Sequence, residues 1–96
     1  MKIFDSPDLL EQEIIEVILK EEAIKALILY NDDFNTFDHV IECLVTICNH
    51  DVIQAEQCAY LVHHTGKCVV KQGTYDDLKP MKEGLIDKGL SAVLEK

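Results

Sequence analysis

The sequence predicts a two-layer α+β domain in which a three-stranded antiparallel sheet packs against three helices, in the order βααβαβ. Short runs at Ala26–Tyr30, Lys67–Gln72 and Leu90–Leu94 have the length and apolar or alternating character of strands. The stretches between them repeat apolar residues at helical spacing and carry helix start and stop signals. Three strands cannot hide an apolar face by themselves, so the helices have to cover one side of the sheet.

Each element has a local cause. Ala26-Leu27-Ile28-Leu29-Tyr30 is a continuous apolar run stopped by Asn31-Asp32-Asp33, which reads as a buried strand and a turn. Asn35 or Thr36 then caps a helix whose apolar positions are Phe37, Val40, Ile41, Leu44 and Cys48. That helix ends near Asn49-His50. Asp51, with Gln54 three residues on, starts a second helix bearing Val52, Ala55, Ala59 and Val62 on one stripe. Gly66 supplies its left-handed stop. In the strand that follows, Cys68 and Val70 share a face. Gly73-Thr74 turns into a third helix with Asp76 and Asp77 in its first turn, where the helix dipole favours acids, and with Leu78, Met81 and Leu85 buried. Pro80 needs an early position there, because a proline in a helix interior costs about 3 kcal/mol. Gly89 closes that helix ahead of the last strand.

The first 22 residues are less determined. Ser6-Pro7-Asp8 reads as an N-cap with proline at the first helical position, and Leu10, Ile14, Val17 and Ile18 follow with helical spacing. The same stretch is rich in β-branched residues and is compatible with extended backbone. Residues 1–22 are expected to be a mobile acidic extension, and 23–96 the folded domain.

Charge narrows the function. Eighteen acidic residues against nine basic ones leave a formal net charge of −9 over 96 residues. So acidic a chain repels phosphate backbones and anionic lipid, so neither nucleic acid nor a membrane surface is an expected partner. No apolar run reaches the roughly 20 residues that span a bilayer, and Met1-Lys2-Ile3-Phe4-Asp5 does not read as a signal peptide. A cytoplasmic location is expected, in which Cys43, Cys48, Cys58 and Cys68 remain thiols.

The sequence offers little for catalysis. There is no Gly-rich phosphate loop and no Gly-x-Ser-x-Gly elbow, and three of the cysteines lie inside predicted helices. Asp32 and Asp33 are adjacent at a turn, where neighbouring side chains point apart. His39 and Cys43 share a helical face, and His63, His64 and Cys68 cluster at a helix end, yet no Cys-x-x-Cys pair announces a zinc site. No enzyme activity, cofactor or metal is expected.

One constellation remains. Asn31-Asp32-Asp33 and, about thirty residues later, Val62-His63-His64-Thr65-Gly66-Lys67 place an amide, carboxylates and an imidazole near helix ends. Such groups suit a protonated amine, although turn hydrogen bonds and helix capping would explain the same residue types. From Leu27 to Lys67 the sequence resembles the ClpS family, adaptors that hand substrates to a Clp AAA+ unfoldase–protease. The resemblance rests on Leu29-Tyr30-Asn31-Asp32-Asp33, on Val40-Ile41 with Leu44, on Gln54-Ala55 and on Val62-His63-His64-Thr65-Gly66-Lys67. It implies recognition of N-degrons, protein N-termini bearing a bulky hydrophobic residue. By position, Asn31, Asp32 and His63 would hold the substrate's α-amino group. Phe37, Val40, Ala59, Val62 and Leu90 would line its side-chain pocket, with Asn35 at the rim. Phe37 and Ala59 stand where well-known members carry methionine, and Asn35-Thr36 replaces a frequent Thr-Pro. Unfoldase docking would fall to Asp76 with Lys79 or Lys82, the aligned basic position itself being Met81; the implied partner is an unfoldase of the ClpA or ClpC type. The alternative is a general protein–protein interaction domain of the same fold that lacks amine recognition.

Overall fold

Position in the middle of the sheet explains why one strand is almost wholly apolar and the other two are not. The computed structural model describes residues 24–95, so the extension expected over 1–22 lies outside the described residues. β1 (Lys25–Tyr30) is flanked by β2 (Lys67–Gly73) on one side and β3 (Ser91–Glu95) on the other, both antiparallel to it. Leu27 and Leu29 point into the core and are almost fully buried. Ile28 points the other way, opposite Val69 and Val93, on the face that none of the described helices covers. The predicted order βααβαβ is the observed one, with strand boundaries shifted by a residue.

The three helices lie on one side of this sheet. α1 (Phe37–Cys48) starts at Thr36, whose Oγ1 accepts the His39 N–H at 3.1 Å. α2 (Val52–Thr65) starts at Asp51, whose Oδ1 accepts the Gln54 N–H at 2.7 Å, and it stops at Gly66 with φ of 95°, a conformation that L side chains resist. α3 (Tyr75–Asp87) is capped by Thr74. Their buried residues are Val40, Cys43, Leu44 and Cys48, then Ala55, Cys58, Ala59 and Val62, then Leu78 and Leu85.

Several side chains depart from the expected stripes. Phe37 is 42 % exposed and Val52 is exposed, because each opens its helix at the end that overhangs the core. Cys43 and Cys58 take core positions instead, small enough to sit where α1, α2 and the sheet converge. Pro80 is not at the start of its helix: with Thr74 as the cap it is the sixth helical residue. Its ring removes one backbone hydrogen bond, that from position 80 to the carbonyl of Asp76.

His50 is the polar group that the sequence did not single out. It is only 3 % exposed, and its Nε2–H donates to the Val70 carbonyl at 2.6 Å. A register shift between Leu27 and Ile28 leaves Val70 as an extra residue on β2, and a bulged residue has no ladder partner. His50 supplies that partner from the turn after α1. Replacing His50 with leucine should therefore lower unfolding free energy by about 1–3 kcal/mol in urea titrations. His50→Gln, which keeps a donor, should recover part of the loss.

Candidate functional site

The turn between β1 and α1 is built around one carboxylate. Asp32 Oδ1 accepts the backbone N–H groups of Phe34 and Asn35, both at 2.8 Å, and Oδ2 accepts the Asn35 side-chain amide at 2.7 Å. Such Asx hydrogen bonding holds the chain in a tight turn without help from secondary structure. Desolvation pushes the Asp32 carboxyl up, but the Asn35 amide, the two backbone N–H groups and the nearby His39 outweigh it, so its pKa lies below the ordinary 3.8. A fourth lone-pair direction on this carboxylate is left for another donor.

Two further bonds join this turn to its surroundings. Asn31 N–H donates to the Gly66 carbonyl at 2.8 Å, pinning the asparagine to the turn that ends α2. Asn35 Nδ2 also donates to the Gly89 carbonyl at 2.8 Å, and His39 Nε2–H donates to the Lys88 carbonyl at 2.9 Å. The start of α1 is thus tied to the turn between α3 and β3, where Gly89 takes a φ of 87°.

Below these bonds lies a small cavity of about 10 Å³, lined by Leu29, Tyr30, Asn31, Asp32, Asn35, Val40, Val62 and Leu90. Its mouth is an amide and a carboxylate, and its floor is aliphatic. The space suffices for about one water molecule and is far short of a leucine side chain. Of the predicted site residues, Asn31, Asp32, Asn35, Val40, Val62 and Leu90 meet here. Ala59 is buried one helical turn before Val62 and does not line the cavity. His63 follows Val62 on the exposed side of the last turn of α2, its ring edge-on to His64 with centroids 5.3 Å apart. Phe37 faces elsewhere, into an open groove of about 540 Å³ with Glu56, Gln57, Tyr60 and Leu61.

The remaining chemistry is muted. Burial pushes Cys43 above its usual value, Cys48 to about 11 and, reinforced by contact with the Cys58 thiol, Cys68 to about 12. Thiols held protonated in this way are poor nucleophiles. His39 and Cys43 do meet, with Nε2 3.6 Å from Sγ, but that nitrogen already donates to Lys88. Among the described residues no three His, Cys, Asp or Glu groups converge as a metal site would require. On α3, Asp76 and Lys79 are exposed three residues apart, Lys82 is half-buried, and Lys79 pairs loosely with Glu83 at 4.0 Å. Among the described residues, no helix is long and apolar enough to cross a membrane.

The lowered pKa of Asp32 sets the pH response of the turn. A carboxyl with a depressed folded value stabilises its structure above its unfolded pKa of 3.8 and loses that contribution as pH falls through the lower folded value. Amide protons of Phe34 and Asn35 should accordingly stay protected at pH 5 and lose protection only below about pH 4, as followed by NMR exchange. In Asp32→Ala they should be unprotected throughout.

Comparison with known proteins identifies the family. Residues 20–92 match the family described as ATP-dependent Clp protease adaptor protein ClpS. The ATP-dependent Clp protease adapter protein ClpS of Thermosynechococcus vestitus is 34% identical over 86 residues, covering 88% of this chain and 92% of that protein. The Acetivibrio thermocellus protein of the same name is 36% identical over 72 residues, covering 75% of this chain and 72% of that protein. Among solved structures, Agrobacterium tumefaciens ClpS2 bound to L-phenylalaninamide matches the fold with a TM-score of 0.73, at 19% identity, over 76% of this chain and 95% of that one. The chain therefore belongs to the ClpS family, adaptors of the ATP-dependent Clp protease.

Proposed function

We propose that this adaptor binds free protein N-termini bearing a bulky hydrophobic residue and delivers them to a Clp AAA+ unfoldase of the ClpA or ClpC type. The observation that carries the reading is the pairing of Asn31 and Asp32 at the mouth of a cavity floored by Leu29, Val40, Val62 and Leu90. A substrate N-terminus has the same two parts, an ammonium and an apolar side chain. The ligand named for the Agrobacterium ClpS2 structure, L-phenylalaninamide, is a free α-amine with an aromatic side chain.

In this reading the ammonium brings three donors to the Asn31 carbonyl oxygen, the Asp32 carboxylate and a ring nitrogen of His63. The side chain is received by Val40, Val62 and Leu90. Each charge-assisted hydrogen bond contributes about 1.5–3 kcal/mol, and burial of a leucine or phenylalanine side chain contributes about the same. After association costs, micromolar binding, about −8 kcal/mol, is the natural scale. An internal leucine has neither the charge nor the donors, so it is not recognised. Docking to the unfoldase would use the exposed start of α3, with Asp76 and either Lys79 or Lys82. All of these parts lie in one cytoplasmic binding protein that performs no chemistry on its substrate.

A labelled peptide beginning with leucine or phenylalanine should bind at least ~30-fold more tightly than its N-acetylated twin, since acetylation removes the charge and about 2 kcal/mol of hydrogen bonding. Equal affinities in fluorescence anisotropy would rule out amine recognition. The free-amine peptide should also lose affinity as pH rises through the pKa of an α-amino group, near 8. Asn31→Ala combined with His63→Ala should abolish peptide binding while leaving the circular dichroism spectrum and melting cooperativity intact.

A further inference from the structure

The side chain of Asn35 ties the turn after β1 to the turn before β3, beside the cavity. Its Nδ2 donates to Asp32 Oδ2 at 2.7 Å and to the Gly89 carbonyl at 2.8 Å, and Asn35 is itself among the lining residues. Asp32 lines the mouth of the cavity, and Gly89 leads directly into Leu90, which lines its floor. We infer that Asn35 is a latch: an incoming N-terminal ammonium competes for Asp32, the Asn35 amide releases the Gly89 carbonyl, and the substrate side chain then enters over Val40, Val62 and Leu90. This inference rests on the amine-recognition reading above and adds the residue that governs access.

The cavity volume requires some such step. About 10 Å³ admits roughly one water molecule, so no bulky side chain enters unless a wall moves. Leu29, Val40, Val62 and Leu90 are packed into the core and cannot give way cheaply. Tyr30 is in the central strand and its hydroxyl donates to Glu95 Oε1 at 3.1 Å. Asn31 is pinned through its backbone to Gly66. The Asn35 side chain, by contrast, is only partly buried and is held by two hydrogen bonds, so a rotation of one side chain frees it.

The chemistry favours the exchange. An amide is a neutral donor, whereas an ammonium on the same carboxylate makes the stronger, charge-assisted bond. Asp32 Oδ1 is occupied by two backbone N–H groups that hold the turn, so a substrate ammonium meets the carboxylate at the remaining lone-pair direction of Oδ2, beside the Asn35 amide. His39, donating to the Lys88 carbonyl, keeps α1 docked on the α3–β3 turn while Asn35 moves. Opening is thereby confined to one side chain and does not separate the helices.

A latch lowers apparent affinity by the fraction of molecules already open and slows association. Asn35→Ala should therefore bind a Leu-starting peptide roughly 3- to 10-fold more tightly than the parent, with the gain in the association rate, by stopped-flow anisotropy. Unchanged or weaker binding by a folded Asn35→Ala protein, or a gain confined to the dissociation rate, would overturn the latch. The parent protein gives a second readout that needs no variant. On titration with the peptide, the Asn35 side-chain amide pair should shift together with the Leu90 and Val62 methyl signals in NMR spectra. A silent amide pair beside shifting methyls would overturn the latch as well. Equal binding of free and acetylated peptides by both proteins would remove amine recognition and the latch together, whereas discrimination without a gain in Asn35→Ala would remove the latch alone.

Discussion

The carboxylate of Asp32 is the constraint on which the site depends. Three N–H groups converge on it within four residues, and this fixes how the chain leaves the central strand and where α1 begins. If the turn relaxed, Thr36 would lose its place as the cap of α1, and Val40 would leave the cavity floor. Asn31 would also be free to drift from the end of α2, to which only one backbone bond holds it. The same carboxylate lies at the mouth of the cavity. One group thus organises the backbone and carries the negative charge that a substrate ammonium would meet. Its pKa below 3.8 keeps both roles intact at any physiological pH.

Much of the fold was legible because its signals are local. Asp51 with Gln54, Thr36 before Phe37, and Gly66 after Thr65 announce helix ends through chemistry confined to four residues, and each is found where that chemistry puts it. The central strand announced itself by being apolar on both faces, as a strand flanked on both edges should be. The contacts missed by sequence reasoning are long-range. Nothing near His50 shows that a bulge twenty residues later will leave the Val70 carbonyl in need of a donor. Similarly, nothing local to His39 and Asn35 shows that the α3–β3 turn, about fifty residues on, brings the carbonyls of Lys88 and Gly89 against them.

The candidate site divides in the same way. Asn31 and Asp32 are readable from a turn and a resemblance, and Val40, Val62 and Leu90 from the resemblance, and all five line one cavity. The resemblance puts Phe37 in the same pocket, and the apolar stripe of α1 puts it in the core. In the structure it faces the groove beside Tyr60 and Leu61, because the first residue of a helix has no preceding turn to press it inward. Helical periodicity assigns a face only where the helix has neighbours on both sides.

The identity of residue 35 separates a closed site from an open one. A threonine, frequent at this position in the family this chain resembles, has one hydroxyl proton and can donate to one acceptor at a time. An asparagine amide has two protons in a fixed plane and can satisfy Asp32 and the Gly89 carbonyl together, as the 2.7 and 2.8 Å distances show. A closed mouth shields the apolar floor from side chains that carry no ammonium. The same closure weakens the grip on correct substrates, which for an adaptor is tolerable: a protein that must surrender its cargo to an unfoldase gains nothing from holding it too tightly. Asn35 therefore exchanges affinity for selectivity through two hydrogen bonds, without altering any residue that would touch the substrate's side chain.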